Sequence, residues 1–160
     1  MKILHITLFF ILTQITLAEK VEITSDSMHA IDLKKEVHFI GNAKVKQLKD
    51  WIHADTIIVH LNEANEAKMY EAIGKVTFEF QNDKGHYLGS SDRVKYFPTD
   101  SLYVLIGKAK VDDKLNKRTA KGDEITVNML TGNSSVVSKP GKNGKKAGPV
   151  VFTFEMENTK

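Results

Sequence analysis

The chain has 160 residues, of which 41% are hydrophobic and 27% are charged, so it is long enough and apolar enough to form one globular domain. Its formal net charge of +3 is too small to indicate a nucleic-acid-binding protein. It has no cysteine, which excludes disulfides, thiolate metal ligands and cysteine nucleophiles.

Residues 1–18 have the layout of a secretory signal peptide. Lys2 supplies a positive charge, a mostly apolar stretch follows, and Thr16 and Ala18 are small residues at the positions that a signal peptidase reads. The apolar stretch is shorter than the ~20 residues that a membrane span needs. We therefore predict cleavage after Ala18 and export, with a retained membrane anchor as the alternative.

A sequence repeat dominates the rest of the chain. Three copies of a ten-residue pattern contain Ile-Gly, and their glycines Gly41, Gly74 and Gly107 are 33 residues apart (74 − 41 and 107 − 74). A glycine inside a strand usually marks a bulge, a bend or a close backbone approach. We therefore expect equivalent bends that shape a curved, two-walled sheet with an apolar trough. An ordinary sandwich with a filled core is the alternative.

The repeats alternate apolar and polar residues with a period of two, as in Val76-Thr77-Phe78-Glu79, which is typical of strands with one buried face. Only Glu63–Ala72 has the composition of a helix. Its end aligns with strand-like copies of the repeat, so we predict a strand there as well. The predicted class is all-β, with repeated antiparallel strands.

The segments Ile-Gly-Asn-Ala at 40–43 and Ala-Asp-Thr-Ile-Ile-Val at 54–59 resemble the OstA-like repeat family, to which LptA, LptC and the amino-terminal part of LptD belong. The resemblance covers about residues 21–130. The layout of signal peptide, one repeat domain and short basic tail is most similar to the LptA-like members. The resemblance implies an open, twisted, V-shaped β-jellyroll over residues 19–137.

The same resemblance implies a periplasmic protein that binds lipopolysaccharide (LPS). Such a protein shields the acyl chains of lipid A in an apolar groove and bridges the inner and outer membranes during LPS transport. The implied partners are LPS, an LptC-like inner-membrane protein, an LptD-like outer-membrane protein and further copies of the chain, stacked head to tail.

The inward faces of the strands are expected to form the apolar groove. From the alternation we select twelve candidate lipid-binding residues: Val37, Phe39, Val45, Ile57, Val59, Val76, Phe78, Val94, Tyr96, Val111, Ile125 and Val127. Strand alternation does not distinguish a groove from a packed interior. Ordinary core is therefore the alternative interpretation for each of these residues.

The two ends of the repeat domain are candidate interaction edges. An open sheet leaves unpaired backbone groups on its first and last strands, near Val21–Ala30 and Val150–Met156, and such edges favour strand addition by a neighbour. The sequence departs from the repeat after Asn133, and residues 138–160 form a basic, Gly/Lys-rich loop with a possible final strand. Its basic residues could meet lipid phosphates, although a solvated loop is the simpler interpretation: Lys139, Lys142, Lys145 and Lys146.

No residue pattern indicates an enzyme, a cofactor or a metal site. His53, Asp55 and His60 are close in sequence, but positions 53 and 55 of a strand share a face that position 60 does not, which is poor geometry for a metal ion. An aspartate precedes each apolar run, where we expect it to accept local backbone N–H groups at a strand start. These aspartates are Asp26, Asp55, Asp92 and Asp123.

Two other functions remain open from the sequence. One is an LptC-like component of the same pathway that keeps residues 1–18 as a membrane anchor. The other is a structural β-repeat adaptor with a filled core and no lipid. An enzyme acting on envelope glycan lacks a convincing acid–base pair.

Overall fold

The structure is a computed structural model that describes residues 20–83, 85–140, 143 and 148–156. In that part of the chain, ten strands form one antiparallel sheet. The strands are β1 (Val21–Thr24), β2 (Ser27–Ile31), β3 (Glu36–Gln47), β4 (Asp50–Leu61), β5 (Ala67–Asn82), β6 (Gly85–Phe97), β7 (Leu102–Asp113), β8 (Arg118–Asn128), β9 (Ser134–Val137) and β10 (Val151–Phe154). Single turns of 3₁₀ helix at Asp32–Lys34 and Pro98–Asp100 join β2 to β3 and β6 to β7.

The six long strands, β3 to β8, follow one another across the sheet in chain order. At one edge, β1 pairs with residues 44–47 of β3 and β2 pairs with residues 36–40. At the other edge, β9 pairs with residues 124–127 of β8 and β10 pairs with residues 118–121. The sheet therefore has eight strand positions, and a broken strand forms each edge. The edges do not pair with each other among the described residues, so the sheet is open.

A break in register crosses all the long strands at the same level. It coincides with the Ile-Gly pattern, where two consecutive residues have positive φ: Gly41 and Asn42, Gly74 and Lys75, Gly107 and Lys108. Extra residues on one strand of a pair bend that strand and increase its twist. The predicted mid-strand bends are therefore β-bulges, and we refer to their row as the bulge line.

The bulge line divides the sheet into two walls. Wall A consists of β2, β9 and residues 36–40, 56–61, 67–73, 93–97, 102–106 and 124–128. Wall B consists of β1, β10 and residues 43–47, 50–54, 76–82, 85–90, 109–113 and 118–122. Each long strand contributes to both walls, which gives the sheet the predicted V shape.

Glycine is required at the bulge line for two reasons. At Gly74 the φ angle is +84°, which favours a residue without a side chain, and an added Cβ would lie 3.0 Å from Cβ of Asp55 on the neighbouring strand. Gly41 and Gly107 face Asp26 and Asp92 in the same way. Each glycine of the repeat therefore packs against an aspartate at the neighbouring strand position of the sheet.

This pairing corrects the expected role of the aspartates. Asp55 and Asp92 lie inside β4 and β6 at the bulge line, not at strand starts, and Asp26 lies at the break between β1 and β2. Asp123 lies inside β8, where its Oδ2 accepts the backbone N–H of Lys139 at 2.7 Å. Asp123 therefore accepts a hydrogen bond from a residue 16 positions along the chain, and not from a backbone N–H group next to it in sequence.

The C-terminal edge replaces the bulge with an insertion. Glu124 of β8 pairs with Ile106 of β7 on one side and with Val137 of β9 on the other. Lys121 of β8 likewise pairs with Lys110 of β7 and with Val151 of β10. Where β7 has residues 107–109, the edge position has residues 138–150. The basic, Gly/Lys-rich segment is this insertion, and β10 continues β9 on the other wall. Lys142, Lys145 and Lys146 lie outside the described residues.

The predicted all-β class with an open antiparallel sheet is confirmed. Glu63–Ala72, the segment with helical composition, overlaps a turn at Asn62–Glu66 and includes the start of β5. Asn62 Oδ1 accepts the N–H groups of Ala64 and Glu66, each at 2.9 Å, which is typical of an Asx turn. The predicted signal peptide, residues 1–18, lies outside the described residues. Within the described part, no helix has the length and hydropathy to span a membrane.

Candidate functional site

The candidate site is the space between the inward faces of the two walls. Cross-strand pairing aligns the inward residues in rows that run parallel to the bulge line. On wall A, the central part of the row next to the bulge line is sealed, with five members at most 3% exposed: Ile57, Ala72, Val94, Leu105 and Ile125. Phe39, which pairs with Ile57 in the same row, is half-buried. The next row is mostly half-buried: Val37, Val59, Tyr70, Tyr96, Tyr103 and Val127. The floor of the V is therefore packed core, and accessibility increases away from it.

All twelve residues selected from the sequence lie on these inward faces. Six are buried: Ile57, Val59, Val76, Phe78, Val94 and Ile125. Six are half-buried: Val37, Phe39, Val45, Tyr96, Val111 and Val127. Strand alternation identified the face correctly, but it did not separate the sealed rows from the accessible ones.

Two cavities lie between the walls. The first has a volume of about 290 Å³, lies toward the N-terminal edge and is bordered by Val21, Val45, Ile52, Tyr70 and Tyr96, among others. The second has a volume of about 590 Å³, lies toward the C-terminal edge and is bordered by Phe78, Val111, Ala120, Val127 and Phe152, among others. Small-molecule sites usually have volumes of about 300–1,000 Å³ and mostly apolar walls. Val37, Phe39, Val59 and Val76 border neither cavity.

A row of five aromatic rings runs through the interior. Tyr70, Tyr96 and Tyr103 are direct cross-strand neighbours on wall A, with ring centroids 6.1 and 4.3 Å apart. Phe78 and Phe80 stack at 5.0 Å on wall B. The two groups meet where Phe80 contacts Tyr103 at 5.3 Å. Aromatic pairs at such distances add to the stabilisation that burial provides.

The hydroxyls of Tyr70 and Tyr103 in this row have raised pKa values and remain protonated at neutral pH. Burial raises the pKa of Tyr103, and the neighbouring Tyr96 raises it further through its charge and a hydrogen bond. Burial also raises the pKa of Tyr70, and Tyr96 adds to that effect. The Tyr70 and Tyr103 hydroxyls are therefore uncharged, which suits contact with an apolar ligand.

Tyr70 and Tyr103 are not among the twelve residues selected from the sequence. When the three copies of the repeat are aligned, both tyrosines occupy the position of Val37, at intervals of 33 residues. The repeat therefore indicated that they face inward, as Val37 does. Ile52, Phe80 and Ala120 were also omitted, although they alternate with outward-facing polar neighbours and pack against the core.

Polar groups border the second cavity near the hairpin ends of the walls. Asp50 Oδ1 accepts the backbone N–H of Gln81 at 2.8 Å, and the carboxylate of Asp113 accepts two hydrogen bonds from Asn116. Arg118 pairs across the sheet with Asp113 and is exposed. The interior is therefore apolar at depth and polar toward the free ends of the hairpins.

The outer face of wall A carries a charged cluster. Glu71 is only 8% exposed, and its carboxylate lies 3.2 Å from His60, 3.4 Å from Arg93 and 3.9 Å from Lys95. The other ring nitrogen of His60 lies 3.3 Å from Glu36. Within this cluster each carboxylate has a basic partner, as a buried charge requires.

The outer face of wall B carries the only tryptophan of the chain. Trp51 Nε1 donates a hydrogen bond to Glu79 Oε2 at 3.0 Å, and the Lys44 ammonium lies 5.6 Å from the centre of the indole. Trp51 also borders the first cavity. This residue connects an outer hydrogen-bond network to the N-terminal end of the interior.

The structure does not bring His53, Asp55 and His60 together, because His53 lies on wall B and His60 lies on wall A. Across the described ranges, no group of three or more histidine, aspartate or glutamate side chains could hold a metal ion. The described side chains between the walls offer a ligand apolar contact and aromatic stacking, with a few polar groups near the hairpin ends.

Known proteins resemble the chain in sequence pattern and in fold. The family model described as LptA/(LptD N-terminal domain) LPS transport protein matches residues 22–133. A similar solved structure is that of LptH from Pseudomonas aeruginosa, the LptA-homologous periplasmic component of the conserved LPS transport device. The two chains are 18% identical, the match covers 86% of this chain and 96% of the other, and the TM-score is 0.73. A search of curated proteins found no match. The two-walled open sheet is thus the predicted β-jellyroll.

Proposed function

Because this chain belongs to the LptA/(LptD N-terminal domain) LPS transport protein family, we propose that it carries LPS by holding the acyl chains of lipid A between walls A and B. Family membership gives the chain a role in LPS transport, with LPS and components of that pathway as its partners in general. It also makes the chain a transport protein and not an enzyme.

The observation that carries the proposal is the pair of apolar cavities above a sealed core. Each methylene removed from water contributes roughly 0.8 kcal/mol, so exposing an acyl chain of about twelve carbons costs on the order of 10 kcal/mol. A lipid cannot cross water at a useful rate with that penalty. Apolar inward rows offer the required shelter without any reactive group.

The polar residues near the hairpin ends indicate where the sugar part of LPS would lie. Asp50, Asp113 and Arg118 border the second cavity near the hairpin ends. We propose that the acyl chains lie along the inward rows while the sugar and its charged groups stay in water at this open side. Nothing in such an arrangement requires a covalent step.

We further propose that the chain works in the periplasm after removal of residues 1–18, as a bridge between an LptC-like inner-membrane protein and an LptD-like outer-membrane protein. The two open edges support stacking of copies head to tail. Residues of β10 that would be covered by a neighbour are exposed and apolar, with Phe152 at 57% and Phe154 at 56%. Edge strands with unpaired backbone groups favour such addition.

Photo-crosslinking tests the groove. A photoreactive amino acid at Val127 or Phe80, which border the second cavity, should capture LPS. The matched controls are Thr126 and Thr77, whose alternation with the inward residues directs them outward on the same strands. Equal capture from both faces would overturn the groove assignment.

Two measurements separate the alternatives. Mass spectrometry of the exported protein should find Glu19 as the first residue, whereas an intact Met1 would favour an LptC-like anchored component. A chain that captures no LPS from either face would favour the structural adaptor without lipid.

A further inference from the structure

Phe80 and Tyr103 meet across the space between the walls. Phe80 lies in the wall B half of β5, Tyr103 lies in the wall A half of β7, and their ring centroids are 5.3 Å apart with an interplanar angle of 49°. Phe80 and Tyr103 each border both cavities. The contact therefore lies at the boundary between the smaller and the larger cavity.

Neighbouring rings hold this contact from both sides. Tyr96 stacks on Tyr103 at 4.3 Å with an interplanar angle of 17°, and Phe78 stacks on Phe80 at 5.0 Å. Phe78 is itself 4% exposed and packs over Gly89, where a side chain would collide with its ring. A ring that stacks on a buried neighbour has little freedom to swing out of the way.

We propose that Phe80 and Tyr103 form a partition that limits how far one acyl chain extends through the interior, so that the two cavities hold acyl chains separately. This inference rests on the proposed function, because it specifies how the same interior receives its lipid. The occupant is a hydrocarbon chain, since both cavities have mainly apolar linings. The partition makes acyl-chain length a determinant of specificity.

A partition has a measurable signature in chain-length dependence. Each methylene that enters an apolar cavity strengthens binding about fourfold. Once the chain end reaches the two rings, further methylenes stay in water and add nothing. Affinity should therefore rise steeply with chain length and then reach a plateau, whereas an uninterrupted trough would give a continuous rise.

The experiment measures the affinity of the mature chain for single-chain alkyl phosphates of roughly eight to sixteen carbons, by titration calorimetry below micelle formation. The wild type should show a plateau, and Phe80→Ala should move it to longer chains because the gap between the cavities opens. Phe80→Leu should shift it less. The matched control Thr77→Ala, on the outward face of the same strand β5, should leave the plateau where it is.

The outcomes distinguish failure of the proposed lipid-carrying function from failure of the partition alone. If the wild type binds no alkyl phosphate of any length, the proposed lipid-carrying function fails and the partition fails with it. If the wild type binds with a continuous rise, or if Phe80→Ala and Phe80→Leu both keep the wild-type plateau, the partition alone is overturned. Urea unfolding of each variant verifies that the binding data come from folded protein.

Discussion

The centre of the sheet and its C-terminal edge make the same bend in different ways. In the centre, Gly74 with positive φ faces Asp55 of the neighbouring strand. At the edge, Asp123 accepts a backbone N–H from Lys139, and residues 138–150 replace the bulge. Central strands have neighbours on both sides, so their bend must fit both. An edge strand has one neighbour, which leaves room for an insertion.

Burial follows the same division. Phe78 at the centre is 4% exposed, whereas Phe152 and Phe154 on β10 are more than half exposed. We therefore expect the centre to stabilise the fold, and the edge to contribute little stability and to stay available for contact. Four predictions, each with its own variants, test this division from the largest expected effect to the smallest.

Phe78→Ala should destabilise the fold by about 3–4 kcal/mol, because it leaves a cavity among buried neighbours. Phe154→Ala is the matched edge variant and should cost less than about 1 kcal/mol, since its ring already contacts water. Urea unfolding gives both values. Comparable losses at the two positions would remove the distinction between centre and edge.

Gly74→Ala should cost about 2–3 kcal/mol, because the new Cβ combines an unfavourable positive φ with a collision against Asp55. Gly132 lies in the turn between β8 and β9, with φ of +76° and no atom within 4 Å of an added Cβ. Gly132→Ala should therefore cost only about 1 kcal/mol. Thermal or urea unfolding of the two variants isolates the contribution of the collision.

Asp123→Ala should act locally, with a loss of about 1 kcal/mol or less in global stability. The backbone N–H of Lys139 loses its acceptor, so its amide hydrogen should exchange faster. Asp123→Asn keeps an acceptor oxygen and should preserve most of the protection. Amide hydrogen exchange at Lys139 is the measurement. Unchanged exchange in Asp123→Ala would mean that the carboxylate does not anchor the insertion.

The smallest expected effect is the pH dependence of Glu79, which lies on the outer face of the central strand β5. A hydrogen bond from His86, and a second from Trp51, hold the pKa of Glu79 below its ordinary value of 4.5. Because the folded-state pKa is lowered, this carboxylate stabilises the fold above pH 4.5 and the contribution is lost as the pH falls through the lowered pKa. Trp51 fluorescence should therefore change below pH 4.5. Glu79→Gln should abolish the transition, and a transition that persists would assign it to another group.

The sequence carried enough information for the fold class, the repeat and the inward faces. Alternation with a period of two located the strands, and the recurring Ile-Gly located the bulges. The repeat also predicted that the segment now seen as the start of β5 is a strand, although its local composition favours a helix. Pairing with both β4 and β6 outweighs that local preference. These features are local or repeated, so one chain displays them several times.

The arrangement of the site was less accessible to sequence reasoning. Tyr70 and Tyr103 share a repeat column with Val37, yet their role depends on stacking with Tyr96, which only cross-strand register determines. The contact between Phe80 and Tyr103 depends on how sharply the walls bend. The pairing of each aspartate with a glycine also required the register, since these residues come from different strands.

The bulge line also sets how the size of the trough can change. Because this crease runs across the strands, an added hairpin would lengthen the inner surface by two strand spacings, roughly 10 Å, and would leave the angle between the walls unaltered. The eight strand positions of one molecule span seven spacings, or roughly 34 Å. A lipid path longer than that requires more hairpins in the chain or more molecules placed edge to edge.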